Sequence, residues 1–203
     1  MRAPLALVGA LVLGLSAADS RAGEVAGSVR LAVEGARLAD VGPVAVFLEG
    51  PGGETPPPPA GRAAAIHQSD ARFVPSFLVV SAGQSVRMAN DDTIFHNVFS
   101  LSRPNDFDLG VYPAGELRTV KFAYPGLVKL YCSIHSSMTG AILVVPSPWF
   151  SVVSAAGAYR IENVPAGRYE LSVWNERLPI VKRSVTVAEG SLRVDVALGS
   201  PEP

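Results

Sequence analysis

Short apolar or alternating runs recur along this 203-residue chain, and no long stretch carries helical periodicity. A buried helix face needs an apolar stripe returning about every 3.6 residues over several turns, whereas a half-buried strand alternates. The runs fall at residues 25–33, 44–48, 77–80, 85–88, 95–99, 117–122, 128–131, 141–145, 158–161, 169–174, 184–187 and 193–198. Gly (19) and Pro (17) separate them as turn residues. Regular short strands divided by turns predict an all-β chain built as β-sandwich. With 48% hydrophobic residues, the chain can bury the cores of one or two small domains.

Two breaks divide the pattern. The first, around residues 50–60, contains Gly52-Gly53 and four successive prolines from Pro56 to Pro59. Residues 51–61 read as a semi-rigid, extended linker or loop. The second break is Pro146-Ser147-Pro148.

The N-terminus has the layout of a signal peptide. Arg2 supplies a short positive start, residues 5–15 are apolar apart from Gly9 and Gly14, and small residues follow. Residues 1–22 are therefore expected to be removed after Ala22, with Ser16-Ala17-Ala18 as the other candidate cleavage site. A membrane anchor competes with this reading, but the apolar run is too short to span a bilayer. No later segment reads as transmembrane. The expectation is an exported protein, periplasmic or extracellular. The formal net charge is −1, and losing Arg2, Asp19 and Arg21 leaves 15 basic and 17 acidic residues. Neither nucleic acid nor an anionic membrane surface is indicated as a partner.

Export usually invites disulfides, yet Cys132 is the single cysteine. A lone thiol in an oxidising compartment is buried and inert, bridged to another chain, or held by a metal. Two soft or borderline ligands, His135 and Met138, follow it at three-residue intervals. His96 lies upstream in Ile94-Phe95-His96-Asn97-Val98-Phe99. One thiolate, two imidazoles and one thioether match a mononuclear type 1 (blue) copper site, with Met138 as weak axial ligand. Soft sulfur suits Cu(I) and imidazole suits both oxidation states, so the set fits a single ion cycling between Cu(I) and Cu(II). The bland alternative is a buried Cys, two surface His and a core Met. Structural zinc sites rarely use Met and usually carry more Cys. A Cys–His hydrolase would need an orienting third group and an oxyanion site that the sequence does not display. Covalent haem would need Cys-x-x-Cys-His, which is not present.

The wider pattern resembles a known family. Phe73-Val74-Pro75, Leu78-Val79-Val80, Gly83, Val86, Asn90-Asp91 and His96-Asn97, followed by Cys132, His135 and Met138, resemble the cupredoxins. The Cys-x2-His-x2-Met spacing is similar to that of amicyanin and two residues shorter before Met than in plastocyanin. With Phe107-Asp108-Leu109-Gly110 and Pro125-Gly126, the chain also resembles exported bacterial proteins of the methylamine-utilisation or plastocyanin-like type. The resemblance implies a cupredoxin Greek-key β-sandwich over residues 62–145. It also implies that the Asn97 side chain ties the His96 strand to the Cys132 loop and donates hydrogen bonds there; a plain polar strand residue is the alternative.

A second resemblance lies in the tail. Residues 157–171, Gly-Ala-Tyr-Arg-Ile-Glu-Asn-Val-Pro-Ala-Gly-Arg-Tyr-Glu-Leu, resemble a carboxypeptidase regulatory-like, transthyretin-like β-sandwich. Residues 148–199 supply only the later strands of such a module. Gly27-Ser28-Val29-Arg30-Leu31 and Val44-Ala45-Val46-Phe47-Leu48 look like its opening strands. The expectation is a cupredoxin domain inserted into a smaller sandwich whose halves are residues 24–50 and 148–199. Insertion is tolerated where chain ends lie close together at a surface.

Other residues carry weaker signals. His67, in Ala65-Ile66-His67-Gln68, reads as an ordinary strand histidine. Trp174-Asn175-Glu176-Arg177 reads as a strand end with a packed Trp. Phe95, Val98 and Ile134 are expected either as an apolar rim around the copper edge, through which His135 faces solvent, or as core. The functional reading is a carrier of single electrons between redox partner proteins, without enzymatic turnover. Two alternatives stay open: a periplasmic copper carrier or sensor using the same ligands, and a structural or adhesion sandwich with a vestigial copper site.

Overall fold

The computed structural model describes residues 22–50 and 64–199. The signal peptide, apart from its last residue, and the Pro-rich linker 51–61 lie outside the described residues. Strands dominate. In chain order they are β1 (Gly23–Leu31), β2 (Val44–Glu49), β3 (Ala64–Ser69), β4 (Arg72–Val74), β5 (Phe77–Ser81), β6 (Gln84–Asn90), β7 (His96–Ser100), β8 (Phe107–Tyr112) and β9 (Leu117–Phe122). There follow β10 (Gly126–Tyr131), β11 (Thr139–Val145), β12 (Phe150–Val152), β13 (Ala158–Val164), β14 (Gly167–Asn175), β15 (Val181–Val187), β16 (Gly190–Arg193) and β17 (Val196–Leu198). One four-residue helix, α1 (Leu38–Val41), interrupts them. Among the described residues, no helix is long and apolar enough to cross a membrane. The chain is all-β, as its alternating runs predict.

Strands β3 to β11 form one sandwich. One sheet runs β5-β11-β10-β7-β8 and the other β4-β3-β6-β9. Their inner faces bury Ile66, Phe73, Val86, Met88, Val98, Phe122, Leu130 and Ile142 in one core, which also takes in Cys132 and Met138. Full burial of side chains of this size stabilises by about 1.5–3 kcal/mol each. Three of these strands, and β12 outside this sandwich, do not belong to the runs picked out by hydropathy. β3 and β4 carry mixed polar residues, β8 alternates weakly, and β12 is three residues long.

β1 and β2 find their partners at the other end of the chain. β1 pairs antiparallel with β13 and parallel with β16 and β17. β2 lies between β12 and β14, with β15 at the edge. These two sheets enclose a second core that includes Val25, Val46, Leu48, Ile161, Leu171 and Leu198. The apolar run 193–198 is thus two strands. It breaks at Val194-Asp195, where Val194 N–H donates to Ala26 O (2.9 Å) and Asp195 Oδ1 accepts from both Ser28 N–H and Ser28 Oγ–H (2.8 Å each).

Gly27 sits under this break. A Cβ built there would lie 1.9 Å from the Val194 carbonyl oxygen. The obstacle is backbone, which cannot swing aside as a side chain would. Gly27→Ala is therefore expected to destabilise the protein by about 1–3 kcal/mol, as overpacking does. Thermal unfolding followed by circular dichroism checks this, and an unchanged midpoint would refute the close approach.

The two sandwiches stack face to face. β2 alternates with period two, so Val44, Val46 and Leu48 enter the second core while Ala45 and Phe47 point the other way. β11 does the same, with Ile142 and Val144 in the first core and Leu143 and Val145 outside it. Ala45, Phe47, Val79, Leu143 and Val145 form a third buried cluster, flanked by Phe77, Phe150 and Trp174. The molecule is in effect four β-layers with three apolar seams. The unbroken apolar run of β2 follows from burial on both faces, the pattern of a central strand. Ser147 Oγ–H donates to Leu48 O, and Leu48 N–H donates to Trp149 O (3.0 Å), fixing the second chain crossing between sandwiches.

Candidate metal centre

β10 and β11 form an antiparallel hairpin whose last ladder pair is Tyr131 opposite Thr139. Residues 132–138 make its loop. Cys132 N–H donates to Met138 O (3.3 Å), carrying the ladder one rung further, and Met138 N–H donates to His135 O (3.0 Å). The loop is thereby closed at its base with Cys132 and Met138 both buried. His135 lies at its outer side, partly exposed.

His96 arrives from β7, the neighbour of β10 in the same sheet. As the first residue of the strand, opposite Tyr112 of β8, it points into the end of the sandwich and is fully buried. One ligand atom from each of His96, Cys132 and His135 lies within 4.8 Å of the others. His96 Nδ1 and His135 Nδ1 face each other at 3.1 Å, and Cys132 Sγ is 3.8 Å from His135 Nδ1. Two imidazole nitrogens converging with a thiol offer lone pairs that a shared cation would satisfy. The donor set of soft sulfur and imidazole, brought together in this way, fits copper binding. Met138 is 1% exposed and shares the core cluster of Cys132.

Asn97, buried beside His96, links the two halves of the cluster. Its Oδ1 accepts from Ser133 N–H (3.3 Å), and its Nδ2 donates to Asp108 Oδ1 (2.7 Å). Asp108 Oδ1 also takes Gly110 N–H (2.8 Å). The tie between the His96 strand and the Cys132 loop is present, but Asn97 accepts from the loop and donates elsewhere. The carboxylate of Asp108 decides this, because it can only accept. The motif Phe107-Asp108-Leu109-Gly110 was visible in the sequence; the role of Asp108 in orienting Asn97 was not.

A second carboxylate, Asp92, also meets the cluster. Its Oδ2 accepts from His96 Nε2–H (3.0 Å) and Ala71 N–H (2.9 Å), and its Oδ1 from Thr93 N–H (2.8 Å). These donors, first the Ala71 N–H and then His96, hold its carboxyl at about 2. The signal in the sequence is an acid four residues before His96, with a second acid, Asp91, directly beside it. Asp91 instead pairs with the exposed His67 of β3, which takes no part in the cluster. Behind the site, burial pushes the Tyr112 phenol up to about 12. Its oxygen accepts from Gln68 Nε2–H and donates to Met88 O (3.2 Å), and the Arg118 guanidinium lies 4.7 Å from its ring centroid.

The expected rim divides. Phe95 and Ile134 are 59% and 48% exposed, joined by Ile94, whereas Val98 is fully buried in the core. β7 has its first residue at His96, so Val98 shares the inward face with His96 while Phe95 falls in the preceding loop. At the far seam, Trp174 stacks on Phe77 with centroids 6.0 Å apart. Asn175 is a buried structural residue, donating to Val41 O (3.2 Å) and Pro43 O (3.0 Å).

The chain matches no protein-family model, and no curated protein matches it significantly. Solved structures similar to it include a purple cupredoxin from Nitrosopumilus maritimus, 24% identical over 40% of this chain and 99% of that one, with a TM-score of 0.37. An amicyanin variant in its reduced state is 18% identical over 49% of this chain and 99% of its own, with a TM-score of 0.39. A copper-containing nitrite reductase from Thermus scotoductus is 23% identical over 44% of this chain but only 25% of that one, with a TM-score of 0.40.

Proposed function

We propose that this protein is an exported type 1 copper protein that carries single electrons between redox partners. The observation that carries the reading is the convergence of His96, Cys132 and His135 within 4.8 Å at the end of a β-sandwich. His96 Nδ1, Cys132 Sγ and His135 Nδ1 would hold the ion, and Met138, from the same loop as Cys132 and His135, would supply a thioether as a fourth, weaker donor. Copper bound there supplies a one-electron couple.

The protein's own residues do the rest. β7 carries His96, and β10 and β11 anchor both ends of the loop that carries Cys132, His135 and Met138, which limits rearrangement between oxidation states. Burial of His96, Cys132 and Met138 favours passage of an electron, for which the partly exposed His135 edge is the proposed route, over binding of a substrate molecule at the ion. Phe95 and Ile134, the chain neighbours of His96 and His135, are exposed apolar residues, as is Ile94, and are proposed as a small docking patch. A patch of this kind suits brief docking, in which small interfaces favour rapid release. The second sandwich is proposed as the transthyretin-like module that its tail resembles, packed against the carrier as a docking or anchoring element.

Voltammetry of the copper-loaded protein tests the reading, with a reversible one-electron wave expected. A protein without a reversible Cu(I)/Cu(II) couple, or one that yields its copper readily to chelators, is not an electron carrier. Met138→Gln should retain copper and lower the potential, because a harder oxygen donor favours Cu(II). A tenfold change in relative affinity corresponds to about 59 mV for one electron. An unchanged potential would remove Met138 from the donor set.

A further inference from the structure

We propose that Asp92 is a positioning residue for the metal centre, fixing the tautomer of His96 and lowering the reduction potential through its charge. The inference rests on the copper reading for its potential and on geometry alone for its tautomer. His96 is fully buried, and the side chain of Asp92 is 13% exposed. A carboxylate only accepts, so the 3.0 Å contact places the His96 proton on Nε2. Nδ1 then keeps its lone pair, and it is Nδ1 that faces His135.

Asp92 is itself held from several sides. Besides the three N–H groups it receives, its own N–H donates to Asn90 Oδ1 (3.1 Å). Asn90 is fully buried, and its Nδ2 donates to Ile94 O (2.9 Å) and Tyr112 O (3.2 Å). The whole turn before β7 is therefore pinned before His96 begins. Ala71, which supplies one donor, belongs to the two-residue turn between β3 and β4, where Asp70 and Ala71 have φ of 51° and 52°. Two positive φ values mark a tight hairpin turn that a non-glycine residue adopts at some cost. Asp92 thus braces a ligand of one sheet against a turn of the other.

A carboxylate on the outer nitrogen of a metal-bound imidazole orients the ring and makes it a stronger donor. A stronger donor and a nearby negative charge both favour Cu(II) over Cu(I). A neutral acceptor in the same place would favour it less.

The test pairs two measurements. Long-range ¹H–¹⁵N correlation spectra of the metal-free wild-type protein read the His96 tautomer directly. Protonation at Nε2 is expected, and protonation at Nδ1 would overturn the proposal without any variant having to fold. Voltammetry of copper-loaded Asp92→Asn then reads the charge, with Asp91→Asn as control. Loss of such a partner typically changes metal affinity by about 10–100-fold. Tenfold selective loss of Cu(II) affinity would raise the potential by about 59 mV. The control should match wild type. A D92N potential equal to that of wild type, with copper retained, would reduce Asp92 to a turn-forming residue. If wild type itself shows no reversible couple, the electron-carrier reading fails, while the tautomer still decides the role of Asp92.

Discussion

Cys132→Ser is expected to abolish the intense visible absorption of the copper(II)-loaded protein. That band requires a thiolate bound to copper, and Cys132 is the single sulfhydryl in the chain. A serine hydroxyl is a hard, neutral oxygen that neither matches Cu(I) nor supplies the negative charge. Loss of a direct ligand should exceed the about 10–100-fold drop in affinity typical of losing a supporting group. The fold should survive, because Ser is smaller than Cys, although burying its hydroxyl costs about 1–3 kcal/mol if unpaired. Absorption spectra of both proteins after Cu(II) addition make the comparison, with circular dichroism of the metal-free forms as the folding check. A variant that keeps the band would place copper elsewhere.

The second large effect is expected away from the metal. Phe47→Ala should destabilise the protein by about 3–5 kcal/mol, the usual range for truncating a buried Phe. Against a total of about 5–15 kcal/mol for a typical domain, this is severe. Phe47 sits in the middle seam, between the sheet of β2 and the sheet of β5 and β11. Its loss should weaken the coupling of the two sandwiches as well as the stability of one. Urea unfolding followed separately by far-ultraviolet circular dichroism and by the copper band reads both effects. Wild type should give coincident transitions, and Phe47→Ala displaced ones. Coincident transitions in the variant would mean that the seam does not join the halves. Leu48→Ala is the useful contrast, since Leu48 faces the second core and its loss leaves the seam filled.

Much of the candidate cluster of His96, Cys132 and His135 was legible because two of its members share one hairpin loop. Cys132 and His135 lie so close in sequence that their convergence needs only a turn between two strands. His96 was legible through its motif with Asn97, not through distance along the chain. Asp92 and Asp108 were not legible as parts of the site. Each is a common surface residue type, and only the path of the turn before β7 and the β7–β8 pairing aim one at His96 and the other at Asn97. Val98 shows the same dependence: one residue of register separates a rim from a core.

Strand character followed from local chemistry, since alternation and β-branched runs state how a segment meets an apolar surface whatever that surface is. The donor set followed likewise, since thiolate, imidazole and thioether carry their metal preference with them. Tertiary structure alone decided which surfaces met. The run Val44-Ala45-Val46-Phe47-Leu48 is equally apolar on both faces, so its sequence says that both are covered but not by what. Pairing with β12 and β14, and the seam against β5 and β11, are choices among many apolar strands of similar affinity for burial. Hydrophobic attraction is non-directional, so these choices rest on register, chain connectivity and the fit of side chains across each seam.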